Sequence, residues 1–197
     1  MDTIGWATFF GCKQLEKVVF WTSSIREISA FAFRYCKKLN SIVYNCTGTE
    51  KSCFPDFKLI KQFSFEWTSL TDVKLSKIER LWEGVFRNCD LLTHFSIIGK
   101  EHTITYMPRS LLKGCATLQE VELGINVESI NEDCFKNCKN LKKLILRNDK
   151  KVINMSDEGS IFTDITNIPD IYVPNSLYDS YTSSKWGELY KNNIKKL

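Results

Sequence analysis

No stretch of this chain is apolar for the roughly 18 residues that a membrane-spanning helix needs, so no membrane span is expected. The opening residues, Met1-Asp2-Thr3-Ile4-Gly5-Trp6, carry no basic n-region and no apolar h-region, and no signal peptide is read there. Charge of one sign is also missing. The 27 Lys and Arg nearly balance the 23 Asp and Glu, the formal net charge is +4, and the basic residues are scattered. That distribution reads as a solvated surface with no nucleic-acid partner. Histidine is scarce: His94 and His102 are the only two, and neither has a matched nucleophile with an orienting acid. Both are expected at the surface. Without a P-loop, a G-x-G-x-x-G or an H-E-x-x-H, no catalytic residue, metal or cofactor is expected, and the chain does not read as an enzyme.

What the chain does have is cysteine at regular intervals. Five of its eight cysteines anchor one template, apolar at −8, −3, +3, +6 and +8. Around Cys36 these positions hold Ile28, Phe33, Leu39, Ile42 and Tyr44; around Cys138 they hold Ile130, Phe135, Leu141, Leu144 and Leu146. Cys12, Cys89 and Cys115 repeat the pattern. Two degenerate copies place Trp67 and Ile165 at the anchor, with Leu59 at −8 in the first of them. Successive anchors are then 24, 31, 22, 26, 23 and 27 residues apart, a period within the leucine-rich-repeat range. The 31-residue step holds an insertion near residues 45 to 56. Most units also have an apolar residue at −11, such as Ile25, Ile78, Ile104 and Val127, where the Trp67 unit has Asp56.

Each feature of the template has a structural consequence. Positions +6 and +8 alternate with polar residues, which predicts a short strand with one buried face. The segment before each cysteine, as in Phe31-Ala32-Phe33-Arg34-Tyr35-Cys36, reads as a helical turn. One unit cannot bury its apolar face alone, so the units must stack strand on strand.

The run Ile28-Ser29-Ala30-Phe31-Ala32-Phe33-Arg34-Tyr35-Cys36-Lys37-Lys38-Leu39-Asn40-Ser41-Ile42 resembles the BspA-type, or Treponema pallidum class, leucine-rich repeat. The chain end, Ile171 to Tyr181 followed by Trp186, is similar to the segment that closes such arrays. The resemblance covers nearly the whole chain. It implies an α/β repeat, a right-handed solenoid of about six to seven coils (residues 1–173) with a helical C-terminal cap (residues 174–197). It also implies a cell-surface or secreted protein that binds a protein or glycan in adhesion, and it brings no shared catalytic residues. The chain departs from the consensus in keeping only Gly5 of the turn glycines and in replacing Ala32 by Val85, Leu111 and Cys134 in later units. The alternative is an intracellular protein-protein interaction scaffold, towards which reduced cysteines and the missing signal point.

The anchor cysteines are expected as a buried, reduced ladder. Cys46 and Cys53 fall off the template and form the only pair for which a disulfide is considered. At the first coil, Trp6, Phe9 or Phe10 should lie at an exposed coil edge, covered either by a self-associated copy or by further upstream repeats of a longer protein. In every unit +5, +7 and +9 should point outward. An outward face without a partner should be polar, as Asp72, Lys74, Ser76, Glu120 and Glu122 are; Val19, Trp21 and Val43 break that rule together on adjacent coils, rimmed by Lys17 and Ser41, and these five residues are the candidate binding site.

Overall fold

The computed structural model describes residues 2–22, 24–44, 54–99, 101–156 and 161–197. It is a parallel β-solenoid of about seven turns. Each coil carries a two-residue strand and then a four-residue strand. In chain order these are β1 (Thr3–Ile4), β2 (Lys17–Phe20), β3 (Glu27–Ile28), β4 (Ser41–Tyr44), β5 (Leu59–Ile60), β6 (Asp72–Leu75) and β7 (Arg80–Leu81). They continue with β8 (His94–Ile97), β9 (Tyr106–Met107), β10 (Glu120–Leu123), β11 (Ser129–Ile130), β12 (Lys143–Leu146), β13 (Asn154–Met155) and β14 (Asp170–Val173).

The long strands build one wall and the short strands another. Both walls are interrupted, but at different coils. The long wall is β2-β4 followed by β6-β8-β10-β12-β14, whereas the short wall is β1-β3-β5-β7 followed by β9-β11-β13. The second break has a local cause. In neighbouring coils the residue after the short strand donates its N–H to the preceding coil, as Trp82 does to Ile60 and Asn131 to Met107. The residue after β9 is Pro108, which has no N–H to give. Because the two breaks are offset, every junction between coils keeps at least one continuous wall.

The segment before each anchor is a chain of turns rather than a helix. Bonds such as Phe10 N–H to Ala7 O and Cys12 N–H to Phe9 O close successive turns. Positive φ recurs at −5 (Ala7, Phe31, Ser110, Asp133) and at −1 (Tyr35, Asn88, Asn137), so a helix cannot propagate. These arches place the −3 side chains in a column. Phe9 stacks on Phe33, Phe33 on Phe65, and Phe65 on Phe86, with ring centroids 5.1, 5.3 and 5.5 Å apart. Leu112 interrupts the column, and Phe135 and Phe162 resume it at 5.7 Å.

This register corrects the third unit. Phe65 is the −3 residue, so Thr68 and not Trp67 stands at the anchor, and Ile60 rather than Leu59 pairs with Ile28 and Leu81 at −8. The −11 place belongs to buried Phe57, with Asp56 exposed beside it. Its strand nevertheless keeps the phase read from Trp67, because Asp72 pairs with His94. The unit is therefore one residue short between anchor and strand.

The terminal segment covers the last coil with two short helices, α1 (Tyr178–Thr182) and α2 (Lys185–Tyr190), and a strand, β15 (Ile194–Lys196). The strand adds to β14 in parallel, Ile171 opposite Ile194. Tyr181, Trp186, Tyr190 and Ile194 are buried, and Leu189 is exposed.

Candidate binding surface

The anchor cysteines form hydrogen-bonded rungs. The thiols of Cys36, Cys89, Cys115 and Cys138 donate to the −3 carbonyls of the preceding coils, those of Phe9, Phe65, Phe86 and Leu112, at 3.0 to 3.2 Å. A small apolar side chain with one weak donor fits a core place that also holds a carbonyl needing a partner. Burial pushes the Cys36 thiol up to about 11 and that of Cys138 to about 12, and it raises Cys115 and Cys134 well above the usual thiol range. Cys12 differs from these in its exposure. It is exposed, because no described coil precedes it. Cys46 and Cys53, and any bond between them, lie outside the described residues.

His102 also departs from expectation. It is fully buried, and neither ring nitrogen has a hydrogen-bond partner. Burial lowers its pKa, with the backbone of Ile104 acting the other way. Gly124 makes the room: a Cβ there would come within 2.4 Å of His102 Nε2. His94 is exposed, and its Nδ1 lies 3.0 Å from Thr93 Oγ1.

On the long wall two ion pairs join outward residues of neighbouring coils. Lys143 meets Glu120 at 3.5 Å, Arg147 meets Glu122 at 2.7 Å, and the Lys143 ammonium lies 5.3 Å from the Tyr172 ring centroid. The first two coils differ. Register places Lys17 beside Ser41 and Val19 beside Val43. Trp21, two residues beyond Val19, is 75% exposed. The structure thus brings Lys17, Val19, Ser41 and Trp21 to one surface, with Lys17 exposed and Val19 and Ser41 half-buried. Val43 corrects the expectation, since only 6% of it is accessible. Val19 lies beside it in the neighbouring strand, and Ile145, flanked by Glu122 and Tyr172 in the same column, is likewise only 3% accessible. Val43 is therefore the floor of the patch and not part of its rim.

The exposed edge expected at Trp6 and Phe10 forms a second aromatic surface. Trp6, Phe10, Phe31 and Arg34 line a groove of about 400 Å³ on the arches of the first coils. The Arg34 guanidinium lies 4.8 to 5.5 Å from the ring centroids of Tyr35, Phe31 and Phe63, and its other partner is the buried carboxylate of Glu66 at 2.5 Å. Phe31 and Arg34 fall between the apolar positions of the template and were not part of that expectation. Later coils place charged pairs such as Lys113–Asp133 and Arg109–Glu132 on the corresponding arches. Among the described residues, no three or more His, Cys, Asp and Glu side chains form a group able to hold a metal ion, and no helix is long and apolar enough to cross a membrane.

A coiled stack with this anchor pattern defines a leucine-rich-repeat protein. The chain belongs to the BspA type leucine rich repeat region family, whose pattern matches in six copies over residues 1–62 and 58–185. It is similar to a leucine-rich repeat protein of Bacteroides ovatus, at 21% identity and a TM-score of 0.57, over 88% of this chain and 53% of that one. It is also similar to the T. pallidum leucine rich repeat protein, at 24% identity and a TM-score of 0.58, over 78% of this chain and 65% of that one. The chain thus spans between half and two thirds of the length of these two proteins. A search of curated proteins found no match.

Proposed function

We propose that this chain is a non-enzymatic protein-binding module, working in adhesion at a cell surface, and that it engages its partner through Lys17, Val19, Ser41 and Trp21 over the floor of Val43. One observation carries the reading: a tryptophan 75% exposed, next to apolar neighbours, on a wall whose other outward positions are largely polar or ion-paired. Exposed aromatic anchors set among apolar and polar neighbours are the usual energetic centres of protein interfaces. An intracellular scaffold is the second reading. It is favoured by the thiol rungs, which hold Cys36, Cys89, Cys115 and Cys138 as donors to backbone.

The test compares the wild type with Trp21→Ala on a panel of purified surface proteins and on a glycan array. Protein binding that drops at least about tenfold in the variant, with a melting temperature within a few degrees, supports the reading. Binding confined to glycans changes the ligand class. If Trp21→Ala unfolds the chain, the tryptophan belongs to the core and the site is wrong.

A further inference from the structure

We propose that the arches of the second to fourth coils hold a neutral glycan, with one pyranose ring seated against Trp67 between Lys37 and Asp90. The site is separate from the Trp21 surface and does not rest on that reading. Each residue it uses belongs to a coil with a described neighbour on both sides.

Backbone conformation singles out the ring. In every coil the −1 residue has positive φ, from 55° at Asn88 to 80° at Gly114. That region disfavours side chains other than Asn and Asp, and suits Gly best. Five coils comply, with Gly11, Asn88, Gly114, Asn137 and Asp164. Tyr35 and Trp67, on adjacent coils, do not. Phe31 and Phe63 break the same preference at −5, but they stack on each other at 5.9 Å, so packing explains them. Tyr35 packs edge-on against Phe10 at 5.6 Å. Trp67 has no such account: among the described residues it meets no other ring, and it stays half-buried. A tryptophan held where asparagine is at home, with no ring to hold it there, points to a use outside the fold.

The groups around Trp67 set the ligand chemistry. Beside it lies a hollow of about 150 Å³, lined by Lys37, Thr68, Ser69, Asn88 and Asp90. Lys37 and Asp90 are the +1 residues of the coils on either side, and the third coil has the short Ser69 in that place. Thr68 and Ser69 donate their hydroxyl protons within the protein, to Phe65 O at 2.9 Å and to Lys37 O at 2.6 Å. The side chains of Lys37, Asn88 and Asp90 have no hydrogen-bond or ion-pair partner among the described residues. Partial burial raises the Asp90 pKa and Lys37 acts against that rise, so the two charges feel each other across the hollow. Lys37 Nζ lies 5.6 Å from the Trp67 ring centroid, a contact that an exposed ammonium exchanges readily for a hydrogen bond.

A charged ligand fits this arrangement poorly. A cation paired with Asp90 would meet Lys37, and an anion paired with Lys37 would meet Asp90. Hydroxyls fit both, since each donates to a carboxylate and accepts from an ammonium or from the Asn88 amide. A pyranose carries hydroxyls around its rim and turns a face of C–H groups to one side, which suits the electron-rich face of an indole. The hollow is smaller than the roughly 300–1,000 Å³ of a whole ligand site, so it takes one ring of a longer chain. The groove continues past Lys37 along Tyr35, where the next unit has a second aromatic side chain to lie against.

An array of immobilised neutral oligosaccharides, built of glucose, galactose, mannose or N-acetylglucosamine, tests this with the 197-residue chain, and heparin fragments supply the anionic comparison. At least one neutral chain of two or more units should bind, and the heparin fragments should not. Trp67→Asn should weaken that binding at least about tenfold with a melting temperature within a few degrees of the wild type, because Asn88 and Asn137 hold the same place natively. Asp90→Asn, at an exposed side chain, should weaken it severalfold without disturbing the fold. Trp21→Ala should leave it unchanged. The proposal fails if no neutral oligosaccharide binds, if heparin binds best, or if binding survives both Trp67→Asn and Asp90→Asn. It fails too if Trp67→Asn unfolds the chain while Asp90→Asn binds as the wild type does, since the ring then serves the core. Glycan binding that Trp21→Ala abolishes and Trp67→Asn spares overturns this site and leaves the Trp21 surface standing.

Discussion

At the scale of single residues, six described cysteines divide into five that burial protects and one that it does not. Cys36, Cys89, Cys115, Cys134 and Cys138 are buried, whereas Cys12 is open to solvent. The thiolate is the reactive form, and a reagent must also reach it. Among these six, native labelling with a thiol reagent should therefore modify Cys12 within minutes and the others only after denaturation. Labelling of Cys36 or Cys115 at the rate of Cys12 would contradict the packing. The template located the five anchor cysteines and put all of them inside, where the structure holds four and leaves Cys12 exposed. It could not tell Cys12 from the rest, because a periodic pattern carries no information about which rung is covered. His102 was illegible for a different reason. It lies between repeats, where no template position speaks, and its burial depends on a glycine one coil further on. The pH dependence follows from its direction of shift. Its folded pKa lies below the unfolded value of about 6.5, so its contribution to stability is complete above that pH and declines as pH falls through the folded pKa. The melting temperature of the wild type should accordingly fall more between pH 7.5 and pH 5 than that of His102→Asn. Equal slopes would assign the acid sensitivity to other groups.

At the scale of one coil, strand positions were legible because alternation and register reinforce each other over several units. The arch was not. Its bulky residues at 31, 33 and 35 have the look of a helical turn, but the chain places Phe31 and Tyr35 at positive φ, which apolar spacing does not reveal. The third coil shows the same limit: one missing residue between Thr68 and Leu70 left the strand phase intact and shifted everything before it, so Trp67 was taken for an anchor. Gly84 tests how tightly neighbouring arches fit. It adopts φ +60°, and a Cβ there would come within 2.3 Å of the Phe63 ring. Gly84→Ala combines a strained backbone with a clash and should cost about 1–3 kcal/mol, read as a lower midpoint in urea with unchanged slope. Gly11→Ala has φ +69° but nothing within 4 Å, so it should lose only the backbone component, about 1 kcal/mol. Equal losses would mean that the ring moves aside freely.

For the whole molecule the decisive feature is the cover over its last coil. A solenoid is stabilised by each coil and by each interface between neighbours, so an uncovered end lacks one interface. At the C-terminal end that interface is supplied. Trp186 Nε1 donates to Ile153 O at 2.6 Å, Tyr181 Oη accepts from Ile153 N at 3.0 Å, and Tyr190 packs edge-on against Phe162 at 5.3 Å. Asn193 Nδ2 reaches Ile168 O at 2.9 Å, and β15 continues the long wall. Burying each large apolar side chain is worth about 1.5–3 kcal/mol, so Tyr181, Trp186, Tyr190 and Ile194 together supply a large share of the ~5–15 kcal/mol of a typical domain. Trp186→Ala alone should cost about 3–5 kcal/mol. Deleting residues 175 to 197 should lower the melting temperature by about 10 °C or more, at about 2–4 °C per kcal/mol for a chain this long, and should promote aggregation through the exposed edge of β14. Hydrogen exchange locates the damage: protection should be lost first in β12 and β14, next to the missing cover, and last in β6 and β8. Loss spread evenly over all coils would show that the stack unfolds as one cooperative unit and that its end does not control it. An unchanged melting temperature would show that the segment covers the last coil without stabilising it.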